Sequence, residues 1–235
     1  MTAMTRPTTT KAADIRLLAI NPNGNREVTA LVERVGREAA RPTTHIVALN
    51  PEGSPRSIET PEDRKKAEPL AIDLLARSPG YDAYVMACFD DIAIAAGRSF
   101  LGAPIVCAAE AAISLARLHA LRFTIITTVE TMVPGILSLV KSLGVEDRCT
   151  VRATGIGVAE ATGAGQEIGS RIDAEIRAAQ AVDGAGAIIL GSGGLAGRAP
   201  ELRRRHGLPV IDSIDAAIAM ADLAARIGAK HHEDA

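Results

Sequence analysis

The chain has 235 residues, of which 47% are hydrophobic, so it can bury a sizeable core in one large domain or in two smaller lobes. Its net charge of -2 and its aromatic content of 2%, with no Trp, argue against nucleic acid as a partner. The chain has no excess of basic residues to attract phosphates and few aromatic side chains on which bases could stack. Charged residues or glycines interrupt every apolar segment before the roughly 18 residues of a membrane span, so we expect no membrane partner and a soluble, cytoplasmic protein.

Both ends of the chain are polar. Residues 1–13 are rich in Thr and lack an apolar stretch long enough for a signal peptide, which predicts a flexible tail. Residues 230–235 are predicted to form a second flexible tail. This segment contains His231 and His232, but terminal polar residues are usually solvated, and we predict no metal site there.

Aliphatic runs and amphipathic segments alternate along the rest of the chain. The aliphatic runs predict strands near residues 15–20, 44–49, 82–87, 104–107, 122–127, 149–153, 185–190 and 209–212. The amphipathic segments predict helices near residues 29–40, 62–78, 91–99, 109–119, 131–143, 163–182, 196–205 and 213–227. Strands without polar alternation are typical of parallel sheets covered on both faces, so the predicted fold class is α/β.

The chain contains an internal duplication. Residues 102–116 are echoed by residues 207–221, and each copy is preceded by an apolar run that breaks into small or polar residues. We therefore predict two pseudo-symmetric lobes, each a parallel sheet flanked by helices, with the active site in the cleft between them. Lobe 1 would span residues 14–115 and lobe 2 residues 116–212, with the C-terminal helix 213–229 packing back on lobe 1.

Polar segments follow several of the predicted strands, and ligands of parallel sheets bind beyond the carboxyl ends of the strands. These candidate site segments are Asn21-Pro-Asn-Gly-Asn25, Cys88-Phe-Asp-Asp91, Thr127-Thr128 and Ser192-Gly-Gly194. The duplication would bring Cys88 and Ser192 to opposite walls of one cleft. Such an arrangement suits chemistry on both faces of one carbon.

Cys88 ends a buried strand, and we expect it at the N-terminus of the next helix, where the helix dipole would lower the pKa of its thiol. It would then act as a base or nucleophile near neutral pH. The alternative is a small core hydrophobe, which is what most free cysteines are. The three cysteines have neither zinc-site spacing nor a paired count. Cys107 and Cys149 are interpreted as structural, because Cys107 lies at a strand end that carries Asp212 in the other copy and Cys149 begins a strand beside Arg148.

Ser192 is a poor base, and no His lies near it in sequence to activate it. Its two following glycines would let backbone amides approach a ligand, although a simple tight turn explains them equally well. The hydroxyls of Thr127 and Thr128 could bind a carboxylate or imide oxygen or cap the next helix, and Asn21 and Asn23 could bind similarly. The Gly-rich residues 162–165 lack a nucleotide-binding pattern.

Several motifs carry a resemblance to a known family. They are Ile20-Asn-Pro-Asn23, Ser57-Ile-Glu59, Asp82-Ala-Tyr-Val-Met-Ala-Cys-Phe-Asp-Asp91, Glu110-Ala-Ala112, Phe123-Thr-Ile-Ile-Thr-Thr128, Val151-Arg-Ala153, Asp183-Gly-Ala185, Ile188-Ile-Leu-Gly191 and Pro209-Val-Ile-Asp212. Over residues 15–227 the chain resembles the Asp/Glu/hydantoin racemase superfamily, most closely its hydantoin and allantoin racemase branch.

The resemblance implies a cofactor-independent racemase of a cyclic ureide, a 5-substituted hydantoin or allantoin, with no metal and with a homo-oligomeric assembly. One cysteine of such an enzyme removes the proton alpha to a carbonyl, and a second protonates the opposite face. Cys88 matches the first cysteine, whereas Ser192 stands at the position of the second. The substrate-binding residues implied are Asn21, Phe89, Asp90, Thr127, Thr128, Val129, Gly193 and Gly194.

Ser192 leaves other readings open, because a hydroxyl ionises far less readily than a thiol and should impair transfer on its face. The chain is either a Cys-to-Ser variant or a member of a subgroup with different chemistry. The alternatives are a single-cysteine decarboxylase or cis-trans isomerase of the same superfamily, acting on a related carboxylate, and a non-catalytic ureide-binding protein. Gly24-Asn25 also replaces the Thr-Ser that is usual in the hydantoin branch, which leaves the exact substrate open.

Overall fold

The computed structural model describes residues 14–163 and 165–229, and both predicted tails, residues 1–13 and 230–235, lie outside the described residues. The strands are β1 (Ile15–Ile20), β2 (Thr44–Leu49), β3 (Ala83–Met86), β4 (Ile105–Cys107), β5 (Phe123–Thr127), β6 (Cys149–Ala153), β7 (Ala187–Leu190) and β8 (Val210–Asp212). The helices are α1 (Arg26–Ala39), α2 (Pro61–Ala76), α3 (Ile94–Phe100), α4 (Ala108–His119), α5 (Val133–Ser142), α6 (Val158–Ala161), α7 (Gln166–Ala181), α8 (Ala199–His206) and α9 (Ser213–Ala229).

The strands form two parallel four-stranded sheets with the same topology. Their orders are β2-β1-β3-β4 and β6-β5-β7-β8. The register also repeats, because β3 ends with Met86 paired to Cys107 and β7 ends with Leu190 paired to Asp212. The prediction of an α/β protein with two similar sheets is therefore confirmed, and β1, β2 and β6 have the predicted bounds.

Short polar signals set where the first helices begin. Asn25 caps α1 by accepting a hydrogen bond from the Glu27 amide. Thr60 and Asp63 form a capping box at the start of α2, and Pro61 occupies a first-turn position where no backbone N–H is needed. Each cap lies two residues after a residue that lines the cleft, Asn23 before α1 and Ile58 before α2.

The last helix of each half packs on the sheet of the other half. Helix α9 contacts β1 and β3 as well as α1, whereas α4 contacts β7 and β8, and the two helices contact each other. The main hydrophobic core is consequently continuous across both sheets, with Leu17 and Val85 in the same cluster as Ile125 and Ile189. The two sheets are thus joined by buried apolar surface, and burial of such surface makes the largest favourable contribution to the free energy of folding.

The structure differs from the sequence prediction around the cleft. The short helix α6 and the 3-10 turns at Glu130–Met132 and Gly193–Leu195 carry too few residues for a periodic signal. Helix α3 begins three residues later than predicted, after Ala93, whose φ of 60° lies in the left-handed region. In the part of the chain that the structure describes, no helix has both the length and the apolar character needed to cross a membrane.

Candidate active site

A cavity lies between the carboxyl ends of the two sheets. Both lobes line it, and the lining side chains are apolar or neutral polar groups. The lining residues are Asn23, Val28, Ile58, Ala87, Cys88, Phe89, Thr127, Thr128, Met132, Val158, Gly191, Ser192 and Gly193. The position agrees with the rule that parallel sheets bind ligands beyond the carboxyl ends of their strands.

The repeated register places Cys88 and Ser192 at equivalent positions. Cys88 is the second residue after β3, and Ser192 is the second residue after β7. Both line the cavity, one from each lobe. The cleft therefore has a thiol on one wall and a hydroxyl on the other.

The prediction that the start of a helix lowers the pKa of Cys88 is wrong. Helix α3 begins only at Ile94, so Cys88 does not lie at its N-terminus. Burial instead raises the pKa of the Cys88 thiol well above its ordinary value, and the charge of Asp90 and the neighbouring Cys107 raise it further. The charge of Arg64 and a hydrogen bond involving the Phe89 backbone lower it in part.

The loop after Cys88 is held by charged groups on α2. The Arg64 guanidinium donates to Asp90 Oδ2 at 3.1 Å and to Asp91 Oδ1 at 2.8 Å. Arg64 also pairs with Glu68 at 2.9 Å, and Glu68 Oε1 accepts a hydrogen bond from the Ala93 amide at 3.1 Å. The Asp90 carboxylate is therefore engaged by α2, outside the set of residues that line the cavity.

The loop around Ser192 is held by close packing and neutral contacts. Ser192 Oγ accepts from the Gly194 amide at 3.3 Å, and Thr127 Oγ1 donates to the Gly191 carbonyl at 3.3 Å. A Cβ at Gly191 would lie 2.6 Å from Ile125 Cγ2, and one at Gly194 would lie 2.6 Å from the Val158 carbonyl oxygen. Both glycines are therefore required by close approach, which only a residue without a Cβ permits.

The Asn-rich segment after β1 is an internal hydrogen-bond network. Asn21 Nδ2 donates to Asn23 Oδ1 at 2.9 Å and to Thr29 Oγ1 at 3.1 Å. Asn23 Oδ1 also accepts from the Asn25 amide at 2.9 Å. Asn21 thus holds Asn23 in place, and it is Asn23 that lines the cavity.

A contact between the lobes closes one side of the cavity. Glu59 Oε1, from the loop before α2, accepts a hydrogen bond from the Val158 amide at the start of α6 at 2.9 Å. The neighbouring Ile58 and Val158 both line the cavity. The motif Ser57-Ile-Glu59 was visible in the sequence, but it contains no spacing that would pair it with a residue 99 positions away.

Of the ten residues predicted as catalytic or substrate-binding by the resemblance, six line the cavity and four lie outside its lining. Those that line it are Cys88, Phe89, Thr127, Thr128, Ser192 and Gly193, and those outside it are Asn21, Asp90, Val129 and Gly194. Neither threonine caps a helix, since Val129 and Met132 are the N-cap residues that follow. The apolar lining residues that sequence reasoning missed are Val28, Ile58, Ala87, Met132 and Val158.

Within residues 14–163 and 165–229, no group of three or more His, Cys, Asp or Glu side chains could hold a metal ion. What the cavity offers is one thiol, several hydroxyls, an amide side chain and apolar walls. These groups can bind a small polar ring and exchange a proton with it.

Comparisons with known proteins agree with this geometry. A family model described as Asp/Glu/Hydantoin racemase matches residues 17–221. The hydantoin racemase of Rhizobium meliloti is 37% identical over 206 residues, which cover 86% of each chain. Among solved structures, allantoin racemase from Klebsiella pneumoniae superposes with a TM-score of 0.87 at 31% identity, over 91% of this chain and 89% of that one. Allantoin racemase from Pseudomonas fluorescens gives a TM-score of 0.87 at 30% identity, over 91% and 92%.

Proposed function

Because this chain belongs to the Asp/Glu/hydantoin racemase family and is an isomerase of the racemase type, we propose that it acts on a five-membered cyclic ureide. The proposed substrate is a 5-substituted hydantoin or allantoin, and the reaction is inversion at the carbon alpha to the ring carbonyl. The observation that supports this most directly is the pair of opposed walls, with Cys88 on one and Ser192 on the other.

The lining supports binding of a small ring with one apolar substituent. Asn23, Thr127 and Thr128 supply neutral polar groups for the ring amides and carbonyls. Ile58 and Val158 form an apolar wall that would receive the substituent at the alpha carbon. With no charged side chain among the described lining residues, a neutral ureide is favoured over a dicarboxylate.

Cys88 is the proposed base for one face of the substrate. Its thiolate would remove the alpha proton, and the electron pair of the broken C–H bond would move toward the ring carbonyl to give an enolate. Backbone amides of Phe89, Thr128 and Gly193, which all belong to the cavity wall, are the proposed donors to the enolate oxygen. Preorganised donors of this kind commonly give the largest single stabilisation of such a transition state.

Ser192 is the proposed acid for the opposite face. Inversion requires a proton from that side to form the new C–H bond, which would leave an alkoxide that regains its proton from solvent. A hydroxyl is a much weaker acid than a thiol, so this step would be slow. We therefore propose an asymmetric enzyme that removes and returns a proton on the Cys88 face much faster than it completes inversion.

Proton NMR in D₂O tests the proposal. Each enantiomer of a slowly racemising 5-substituted hydantoin is incubated with the protein, and loss of the alpha-proton signal and optical rotation are followed together against a sample without protein. We expect rapid exchange in one enantiomer with slow loss of rotation. Absence of exchange in both enantiomers, and in both enantiomers of allantoin, would contradict the proposed function and favour a decarboxylase, a cis-trans isomerase or a ureide-binding protein.

A further inference from the structure

Arg64 lies outside the cavity lining but contacts the loop that carries Cys88. It projects from α2, and about a third of its side chain is exposed (34%). Its three nitrogens each contact a different carboxylate: Nε reaches Asp90 at 3.1 Å, Nη2 reaches Asp91 at 2.8 Å and Nη1 reaches Glu68 at 2.9 Å. A planar fork of this kind fixes the direction of its partners as well as balancing their charge.

The loop backbone is held from two further directions. Glu68, itself paired with Arg64, accepts a hydrogen bond from the amide of Ala93, a residue that adopts a φ of 60°. Cys107 Sγ, at the end of β4, donates to the Asp90 carbonyl oxygen at 3.3 Å. A left-handed conformation at a residue with a Cβ is uncommon and persists only where its surroundings impose it.

The charged and titratable groups facing Cys88 are few, and they come from three elements. Its own loop supplies Asp90, β4 supplies Cys107, and α2 supplies Arg64, whose guanidinium also pairs with Asp91 and Glu68. From the second lobe the described lining residues are neutral, and the polar ones are hydroxyl groups and backbone. Burial is the largest cause that disfavours a negative charge on Cys88; the charge of Asp90 disfavours it further, and the charge of Arg64 offsets part of that effect.

We propose that Arg64 is a positioning residue of the Cys88 wall: it draws the Asp90 carboxylate toward α2 and balances its charge, so that Asp90 opposes formation of the Cys88 thiolate less strongly. The inference rests on the proposed function for its catalytic meaning. The effect of Arg64 on ionisation of the Cys88 thiol, which acts through Asp90, can be measured without any substrate.

Alkylation of Cys88 by iodoacetamide provides that measurement, because the thiolate is the reacting species. The rate is followed from pH 7 to 10 by mass spectrometry of the peptide that contains Cys88, in the intact folded protein. We expect Arg64→Gln to react about tenfold more slowly than the wild type at pH 8, which corresponds to a rise of about one unit in thiol pKa. Arg64→Lys keeps the charge but not the fork and should react within about threefold of the wild type.

Asp90→Asn separates the electrostatic effect from loss of structure. This single variant should react about threefold faster than the wild type, since it removes the charge that opposes the thiolate. The double variant Arg64→Gln/Asp90→Asn should recover the wild-type rate, which a merely structural role for Arg64 would not produce. Arg77→Gln is the matched control, because Arg77 pairs with Asp73 at the end of the same helix and should leave the profile unchanged.

An unchanged profile in Arg64→Gln, or a double variant that stays as slow as Arg64→Gln, would overturn the proposal. If Arg64→Gln does not fold, an Asp90→Asn rate equal to or below that of the wild type overturns it. Failure of the proposed function gives a different result. If the proteins show the expected alkylation pattern but the wild type exchanges no hydantoin alpha proton, the proposed substrate is contradicted, whereas the effect of Arg64 on the Cys88 thiol is established.

Discussion

The two walls of the cleft occupy equivalent places in the two sheets, yet different kinds of interaction hold them. The loop with Cys88 is held by the ionic contacts of Arg64 and Glu68, whereas the loop with Ser192 is held by glycines that permit close backbone packing. The strand ends differ in the same way, since Cys107 donates to a carbonyl in one lobe and Asp212 accepts from the Gly197 amide in the other. The shared register therefore determines where a side chain lies, but the residue type at that position differs between the two lobes.

A second difference lies one helical turn beyond those strand ends. Glu110, the third residue of α4, is paired with Arg98. Its counterpart Asp215, the third residue of α9, forms no salt bridge among the described residues. Burial, followed by the charge of Asp212, raises the pKa of Asp215 to about 7. The lobes thus differ in how these half-buried acids are compensated as well as in the groups that line the cavity.

Among the substitutions that test this comparison, replacement of Cys88 should have the largest effect, and that effect is on the rate of alpha-proton exchange. Cys88→Ala removes the only thiol among the described lining residues, and we expect exchange of the alpha proton to fall by about a thousandfold, the usual scale for loss of a general base. The measurement is deuterium incorporation in D₂O. Cys149→Ala, which removes a buried thiol of β6 outside the cavity, is the matched control and should retain the wild-type rate. Wild-type exchange in Cys88→Ala would show that the two walls do not differ as inferred.

Making the two walls alike should have the next largest effect. Ser192→Cys introduces a group that ionises several pKa units more readily than a hydroxyl, so complete racemisation should accelerate by about a hundredfold. Polarimetry of both enantiomers measures it, and Ser192→Ala should keep exchange on the Cys88 face. The control Ser114→Cys places a thiol on the exposed side of α4 and should change nothing. A Ser192→Cys rate equal to the wild type would remove Ser192 from the mechanism.

Substitution of the half-buried acids Asp215 and Glu110 should have the smallest effect, and that effect is on the free energy of unfolding. Since the folded pKa of Asp215, about 7, lies above its ordinary value, the folded state holds a proton that the unfolded state has lost, and stability falls as the pH rises from about 4 to about 7. Asp215→Asn should therefore raise the free energy of unfolding at pH 8 by about 1 kcal/mol, allowing for solvent screening of a half-buried group. The gain should shrink at pH 5.

Urea unfolding at the two pH values checks this, and the paired acid of the other lobe is the control. Glu110→Gln breaks a half-exposed ion pair with Arg98 and should lower the free energy of unfolding by about 0.5 kcal/mol at both pH values. If Asp215→Asn were destabilising at pH 8, Asp215 would be a compensated acid like Glu110, and this difference between the lobes would disappear.

Much of the fold could be predicted from the sequence because its signals are local. Aliphatic runs predicted the bounds of β1, β2 and β6, and the repeat at residues 102–116 and 207–221 predicted two similar lobes, in agreement with the two sheets of the same topology. The position of Cys88 and Ser192 after equivalent strands followed from that repeat.

The environment of the site was less predictable, because it depends on which groups meet in three dimensions. The rise in the pKa of Cys88 comes from burial and from Asp90, whereas the sequence only suggested a nearby helix start. The Glu59 contact with Val158 joins segments that are 99 residues apart, and α6 is a four-residue helix with no period to detect. Within the Asn segment, Asn23 lines the cavity, whereas Asn21 lies outside the lining and donates a hydrogen bond to Asn23.

The exchange of α4 and α9 between the sheets makes each half of the chain incomplete without the other. A fragment that ended before β5 would carry α4 with no β7 or β8 to cover, and its β1 and β3 would lack α9. Two copies of such a half could complete each other by trading their last helices, which is the arrangement of a domain-swapped dimer. The chain has the architecture of such a dimer with its two copies joined end to end. In a true dimer both walls would carry the same side chain, whereas the joined form allows a thiol to face a hydroxyl.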